Sequence, residues 1–271
     1  MNRINQCLKK LASQGRKALI PYIVVGDPSL DVTLATMQKL VAEGADILEL
    51  GVAFSDPTAE GPVIQRAHER ALAKNTSLRD ALSLVAEFRK TDSITPVVLM
   101  GYTNPIERMG YSAFVENASR AGVDGVLTVD LPPEEAEGFT AQLRAAEIEN
   151  IFLITPTTTI ARQKKIVSLA GGYLYYVSLK GVTGAGNLDV NSVKEKLKEI
   201  KTLTDLPVCV GFGIKDAQSA AAVADLSDGV VIGSVLVDKM SQMEQQGCFE
   251  KEAIAAAVSA IISEIRCAID A

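Results

Sequence analysis

The chain has 271 residues, of which 48% are hydrophobic and 22% charged, a composition typical of a globular protein that buries a large core. Its 27 lysine and arginine residues and 33 aspartate and glutamate residues give a net charge of −6 at pH 7. Because nucleic acids and anionic membranes are bound by basic surfaces, this charge argues against both as partners.

Short apolar runs recur along the chain and predict strands. There are eight of them, at residues 18–25, 46–50, 96–100, 125–129, 151–154, 173–178, 208–212 and 229–232. Runs that are apolar throughout are typical of parallel strands covered on both faces. Between them, apolar residues recur at helical spacing, most clearly at residues 30–41, 78–85, 139–143, 193–200 and, after the eighth run, 254–265.

Eight strand–helix units without a linker or low-complexity segment predict the α/β class, as a single (β/α)8 TIM barrel domain over residues 1–271. An open doubly wound sheet is the alternative, because periodicity alone does not show closure. Ile4, Leu8 and Leu11 predict an extra N-terminal helix, placed to cover the N-terminal mouth of the barrel. Mobile loops are expected after the second and sixth strands.

The cysteine and histidine content limits the possible chemistry. The four cysteines (Cys7, Cys209, Cys248 and Cys267) lie far apart, and His68 is the only histidine. This argues against a structural zinc site and against a serine or cysteine triad. Scattered cysteines, with no apolar leader and no long apolar stretch, predict free thiols in the cytoplasm. His68 follows the second strand's loop on a predicted helix and is expected at the surface.

The second predicted strand carries an acid within an apolar run. Leu48 and Leu50 flank Glu49, and strand alternation places them on the opposite face. If Glu49 points into the barrel, desolvation raises its pKa into a range that suits a general acid or base. A structural glutamate in a salt bridge is the competing interpretation.

The segment that follows this strand, residues 52–64, is rich in turn formers and carries two further acids, Asp56 and Glu60. Long loops at the C-terminal face of a barrel are typically functional lids. One acid on the strand and one on the loop are able to bracket a substrate. A solvated acidic loop is the alternative interpretation.

Glycine-rich segments follow the last three strands. Residues 178–187 contain three glycines and predict a lid or an anion-binding loop. Gly213 follows the seventh strand, and Gly233 and Ser234 follow the eighth. In barrels of this kind, the loops after these two strands and a helix N-terminus bind phosphate. No sequence motif indicates a nucleotide cofactor.

Four passages together resemble the α subunit of tryptophan synthase over essentially the whole chain. They are PYIVVGDP at 21–28, LELGVAFSDP at 48–57, SLKGVTG at 178–184 and VGFGI at 210–214, and DLPPEE at 130–135 also fits. The second passage is highly specific, whereas the glycine-rich ones are shared with other phosphate-binding barrels.

This resemblance implies a lyase of tryptophan biosynthesis that cleaves indole-3-glycerol phosphate to indole and glyceraldehyde 3-phosphate, with no metal or cofactor in this chain. The partner implied is a β subunit that holds pyridoxal phosphate and receives indole through a tunnel in an αββα heterotetramer. Glu49 matches the acid/base of the family. Glu60 stands where the family has the aspartate that binds the indole N–H, Ala53 where proline is usual and Gly186 where an acid is common.

The resemblance also implies ligand and partner contacts. The residues expected around the substrate and its phosphate are Tyr175, Thr183, Gly184, Phe212, Gly213, Gly233 and Ser234. Those expected to wall the indole ring are Tyr22, Ile64, Met100, Leu127 and Ile232, although ordinary core packing explains them equally well. Asp56, Pro57 and Asn104 are expected to face the β subunit, with a plain turn as the alternative for Asn104.

Two other functions remain compatible with the sequence. One is a subunit that binds and activates the β partner with weak activity of its own, and the other is a self-standing indole-releasing lyase. An indole-glycerol-phosphate synthase is disfavoured because the strands contain no inward lysine. A metal-dependent epimerase is disfavoured because one histidine is too few.

Overall fold

The computed structural model describes residues 2–177, 190–211 and 213–271. Eight parallel strands pair in chain order and β8 returns to β1, so the sheet is a closed barrel. The predicted TIM barrel is confirmed, and the alternative prediction of an open doubly wound sheet is wrong. The strands are β1 (Ala18–Val24), β2 (Leu48–Gly51), β3 (Val97–Gly101), β4 (Gly125–Thr128), β5 (Glu149–Ile154), β6 (Leu174–Val177), β7 (Val208–Gly211) and β8 (Gly229–Ile232).

Helices connect the strands and surround the barrel. They are α1 (Arg3–Ser13), α2 (Leu30–Ala42), α3 (Pro62–Ala73), α4 (Leu78–Phe88), α5 (Thr103–Met109), α6 (Tyr111–Ala121), α7 (Glu137–Ala145), α8 (Ile160–Leu169), α9 (Val190–Lys201), α10 (Ala217–Ala224), α11 (Ser234–Gln245) and α12 (Lys251–Ile269). Local signals explain several starts: Ser77 and Asp80 form a capping box at α4, and Pro62 opens α3. No helix within the described ranges is both long and apolar enough to cross a bilayer.

Strand alternation divides the core into two layers. In β2, Leu48 and Leu50 belong to the outer layer, between the strands and the helices, whereas Ile47 just before the strand belongs to the barrel interior. In β8, Val230 and Ile232 lie in the outer layer and Val231 in the interior. The interior is therefore filled by every second residue of each strand.

The N-terminal helix closes one end of the barrel. Ile4, Leu8 and Leu11 of α1 are buried in the same cluster as the interior strand residues. Ile4 is fully buried. The predicted extra helix and its position at the N-terminal mouth are confirmed, and the opposite mouth, at the C-terminal ends of the strands, is left for the functional loops.

Candidate active site

Glu49 lies inside the barrel. It is in β2, in register with Tyr22 of β1 and Val98 of β3, and no part of the residue is exposed. Neither of its carboxyl oxygens has a hydrogen-bond partner within the described part of the chain. Burial raises the pKa of Glu49 to about 8. The side chain is therefore mostly protonated at neutral pH and is suited to give and take back a proton.

Three tyrosines share the interior with Glu49. Burial raises the pKa of Tyr22, Tyr173 and Tyr175 well above the usual value, and the nearby Glu49 carboxylate adds to the effect at each of them. Glycine makes room for one of the rings, because a Cβ at Gly211 would lie only 2.6 Å from Tyr175 Cζ. The carboxyl group therefore sits among neutral phenols.

Glu60 is held at the same mouth by Tyr102. The Tyr102 hydroxyl donates a hydrogen bond to the Glu60 carboxylate and accepts one from the Ala59 N–H at 3.1 Å. The ring of Tyr102 stacks on Phe54, with the centroids 4.8 Å apart. Burial raises the pKa of Glu60, and the hydrogen bond from Tyr102 opposes that shift. The loop acid is thus fixed rather than freely solvated.

Sequence reasoning missed Tyr102. It lies directly after β3, at the C-terminal face where the functional residues of a barrel collect. This position in the sequence could have identified Tyr102 as a candidate site residue, but only the structure shows which loop atoms its hydroxyl contacts.

His68 is buried, so the expectation of a surface residue is wrong. Only 2% of the residue is exposed. Its Nδ1 accepts a hydrogen bond from the Phe54 N–H at 3.1 Å, and its Nε2 lies 3.4 Å from the Tyr22 hydroxyl. Helical spacing did not predict this burial, because the face of α3 that carries His68 is covered by residues from other parts of the chain, Phe54 and Tyr22.

Three of the residues expected around the phosphate lie at the ends of the last two strands. Gly213, with φ of +76°, follows β7, and Gly233 and Ser234 form the junction between β8 and α11. The N-cap of α11 is Gly233, and no side chain among the described residues caps this helix, whereas Asp216 caps α10. Within the described ranges, the first amides of α11 therefore have no side-chain acceptor. Thr183, Gly184, Gly186 and Phe212 lie outside the described residues.

The residues expected around the indole ring are brought together with one exception. Tyr22 and Ile64 share a buried cluster in which Met100 is partly buried, and Met100 also contacts the interior cluster that contains Leu127 and Tyr175. The structure does not bring Ile232 to this pocket. It packs in the outer layer against the helices, because Val231 occupies the inward position of β8.

The residues expected to face a partner lie at the rim of the same mouth. Asp56 and Asn104 are exposed and Pro57 is half-buried. Asn104 belongs to the first turn of α5 rather than to a simple turn. The Gln65 amide holds this loop, with donor-to-acceptor distances of 3.5 Å to the Pro57 carbonyl and 2.9 Å to the Glu60 carbonyl. As far as the described side chains go, no group of three or more metal-ligating residues is assembled.

Comparisons with known proteins agree with one another. The family model described as "Tryptophan synthase alpha chain" matches residues 8–265. The chain is 56% identical over 270 residues to the tryptophan synthase alpha chain of Burkholderia cenocepacia (strain HI2424), covering 100% of this chain and 97% of the relative. The corresponding protein of Leptothrix cholodnii is 52% identical, with the same coverage.

Solved structures give the same result. Tryptophan synthase subunit alpha from Legionella pneumophila str. Paris matches with a TM-score of 0.92 and 46% identity, covering 100% of this chain and 99% of that one. A ligand-free form of tryptophan synthase from M. tuberculosis matches with a TM-score of 0.87 and 30% identity, covering 100% of both chains.

Proposed function

The chain belongs to the tryptophan synthase alpha chain family, and from this premise we propose which of its residues carry out the reaction. Its function is that of the alpha subunit in tryptophan biosynthesis, a lyase that cleaves indole-3-glycerol phosphate. The observation that carries the assignment of residues is Glu49, an acid buried inside the barrel with both carboxyl oxygens unpaired within the described ranges. An unpaired buried carboxyl group is costly, which is typical of a group kept for chemistry.

Glu49 is proposed as the acid and base of the cleavage. A proton is added to C3 of the indole ring, and the hydroxyl next to the ring loses one as the bond between C3 and the glycerol chain breaks. The products are indole and the aldehyde, glyceraldehyde 3-phosphate, so protons and electrons balance. A carboxyl group with a pKa of about 8 is able to take part in both transfers near neutral pH.

Glu60 is proposed to bind the indole N–H. Protonation at C3 leaves positive charge on the ring nitrogen, and a carboxylate beside that nitrogen stabilises the charge. Burial raises the pKa of Glu60, and the hydrogen bond from Tyr102 opposes this shift because it favours the carboxylate form. Glutamate is longer than aspartate by one methylene group, and anchoring by Tyr102 is our explanation of how the longer side chain is positioned.

The remaining assignments follow from location. We propose that the amides after β7 and at the start of α11, with Gly213, Gly233 and Ser234, bind the substrate phosphate. We propose that Asp56, Pro57 and Asn104 contact a β subunit that holds pyridoxal phosphate in an αββα heterotetramer. The cleavage proposed for this chain proceeds by proton transfer, and we propose no cofactor for it. Four free thiols support a cytoplasmic location.

The test is indole release from indole-3-glycerol phosphate by the purified chain, with and without a β subunit from a close relative. Glu49→Gln and Glu60→Gln are compared with Glu116→Gln, whose side chain is 71% exposed. We expect turnover by the wild type, faster turnover with the partner, and a loss of about 10²–10⁴-fold in kcat for Glu49→Gln. Glu60→Gln is expected to lose at least about a hundredfold, and Glu116→Gln to match the wild type.

Three results would change the assignment. Full activity of Glu60→Gln would mean that another group binds the ring nitrogen. A wild type that is inactive in every condition but still activates the β subunit would be a binding subunit. Turnover that is unaffected by the β subunit would identify a self-standing lyase.

A further inference from the structure

His68 bridges two parts of the proposed site. It lies in α3, and its imidazole accepts the N–H of Phe54 at Nδ1, at a distance of 3.1 Å. On the other side, its Nε2 is 3.4 Å from the hydroxyl of Tyr22 in β1. One buried ring therefore connects the loop that carries Glu60 with the strand beside Glu49.

The two contacts determine where the imidazole carries its proton. Nδ1 accepts an N–H and therefore carries no proton of its own. Burial lowers the pKa of His68 to about 4, so the ring is neutral near pH 7 and keeps one proton. That proton is on Nε2, which donates to the Tyr22 oxygen. The hydroxyl proton of Tyr22 is consequently not used in this contact.

The Tyr22 phenol is held at the mouth of the barrel. It is in register with Glu49 on the neighbouring strand. A Cβ at Gly51 would lie 2.7 Å from Tyr22 Cζ, and a Cβ at Gly233 would lie 3.1 Å from its Cδ1. The ring thus lies between the proposed acid/base and a glycine of the proposed phosphate site. Throughout residues 2–177, 190–211 and 213–271, His68 is the one hydrogen-bond partner found for this hydroxyl.

We propose that Tyr22 donates a hydrogen bond from its hydroxyl to an oxygen of the substrate's glycerol chain, and that His68 is the positioning residue that orients this hydroxyl. This inference rests on the proposed function. A hydroxyl that accepts from His68 has its own proton directed elsewhere. The glycerol chain joins the indole ring to the phosphate, so on the proposed function it passes between Glu49 and the phosphate site, where the Tyr22 ring lies. Tyr22 thereby adds specificity for a hydroxylated chain to the shape of the indole pocket.

The kinetic test is a double-mutant cycle on indole release, with Tyr22→Phe, His68→Ala and the double variant. Glu69→Ala, at an exposed position next to His68, is the matched control. We expect Tyr22→Phe to lower kcat/KM about tenfold. His68→Ala is expected to cost a similar factor with Tyr22 present and little in the Tyr22→Phe background. His68→Gln, which keeps one acceptor and one donor, is expected to recover part of the loss.

Specificity is tested with an inhibitor in which the glycerol hydroxyls are replaced by hydrogen, leaving indole, a propyl chain and phosphate. Tyr22→Phe is expected to bind this analogue as tightly as the wild type does. A weakening equal to that seen with the substrate would overturn the role of the hydroxyl. Urea unfolding of each variant identifies any loss that comes from the fold.

A third measurement does not depend on activity. His68 is the only histidine, so ¹⁵N-histidine labelling gives one imidazole in the NMR spectrum. At pH 7.5 we expect a protonated Nε2 and a bare Nδ1. A proton on Nδ1 overturns the inference while the lyase assignment stands. The same holds if the losses in kcat/KM caused by Tyr22→Phe and His68→Ala are additive in free energy. Absence of indole release by the wild type overturns the proposed function and the inference together.

Discussion

The hydroxyl of Tyr102, at the end of β3, is hydrogen-bonded to the carboxylate of Glu60 in the loop after β2. The same hydroxyl accepts the N–H of Ala59, so one phenol holds both the backbone and the side chain of this loop. Its ring is in turn stacked on Phe54 at the beginning of the loop. The position of the loop acid is therefore determined by a neighbouring strand as well as by the loop itself.

Tyr102→Phe removes this hydrogen bond and keeps the stacked ring. Because a hydrogen bond to a charged group is worth about 1.5–3 kcal/mol, we expect kcat/KM for indole release to fall by about ten- to a hundredfold. Tyr111→Phe is the control, since its hydroxyl also donates to a glutamate, Glu107, at 3.2 Å but on the outer surface. Equal activities of the two variants would show that Tyr102 does not position the acid.

Glu49→Gln is expected to stabilise the protein at alkaline pH while it removes activity. The folded chain keeps Glu49 protonated up to about pH 8, whereas the unfolded chain releases this proton near pH 4.5. The contribution of Glu49 to the free energy of unfolding is therefore fully present below pH 4.5. It is lost as the pH rises to and through the pKa of Glu49 in the folded chain. Each pH unit in that window lowers the free energy of unfolding by at most about 1.4 kcal/mol.

Urea unfolding at pH 5 and pH 8 measures this effect. The stability of Glu49→Gln relative to the wild type is expected to increase by on the order of 3 kcal/mol between the two pH values. In the unfolded chain His68 also titrates in this range, near its usual pKa of 6.5, but it is present in both proteins and its contribution cancels in the comparison. A constant difference would mean that the carboxyl group is ionised in the folded state.

Ser234→Asp is expected to weaken substrate binding without harming the fold. Ser234 is the first residue of α11, so an aspartate there interacts favourably with the helix dipole. Placed at the proposed phosphate site, the same charge repels the substrate. We expect KM to rise by at least about tenfold, for which about 1.4 kcal/mol of repulsion is sufficient. Ser241→Asp, further along the same helix, should leave KM unchanged, and similar KM values in both variants would argue against a phosphate site here.

Gly51→Ala is expected to disturb the pocket by steric conflict. The added methyl group would lie 2.7 Å from Tyr22 Cζ, closer than two carbon atoms pack, so the phenol has to move. Overpacking of this kind costs about 1–3 kcal/mol of stability. Gly138→Ala is the control, because nothing lies within 4 Å of the new methyl group in α7. Circular dichroism during thermal unfolding distinguishes the two, and Tyr22→Leu should restore part of the loss caused by Gly51→Ala.

Much of the fold was predictable because it depends on local patterns. The eight strands, the amphipathic helices and the helix caps are encoded in residues close together in the chain. The extra helix marked by Ile4, Leu8 and Leu11 was predictable for the same reason, as its apolar face needed a surface to cover. The open sheet remained an alternative because closure is a contact between β1 and β8, at opposite ends of the sequence.

The site was predictable where a residue breaks a local rule. Glu49 stood out because a charge in an apolar strand is expensive, and its burial inside the barrel agrees with that interpretation. Ile232 gave no such signal. Its strand is apolar on both faces, so sequence does not define which residues point inward.

The sequence by itself determined the strands, the helices and the two candidate acids, Glu49 in a strand and Glu60 in the loop that follows it. These features follow from spacing and side-chain chemistry along the chain. Only the tertiary structure decided that His68 is buried against Tyr22 and that Tyr102 holds Glu60. Each of these contacts joins side chains carried by different strand–helix units. Barrel closure brings those units together, and no local pattern records the distance between them.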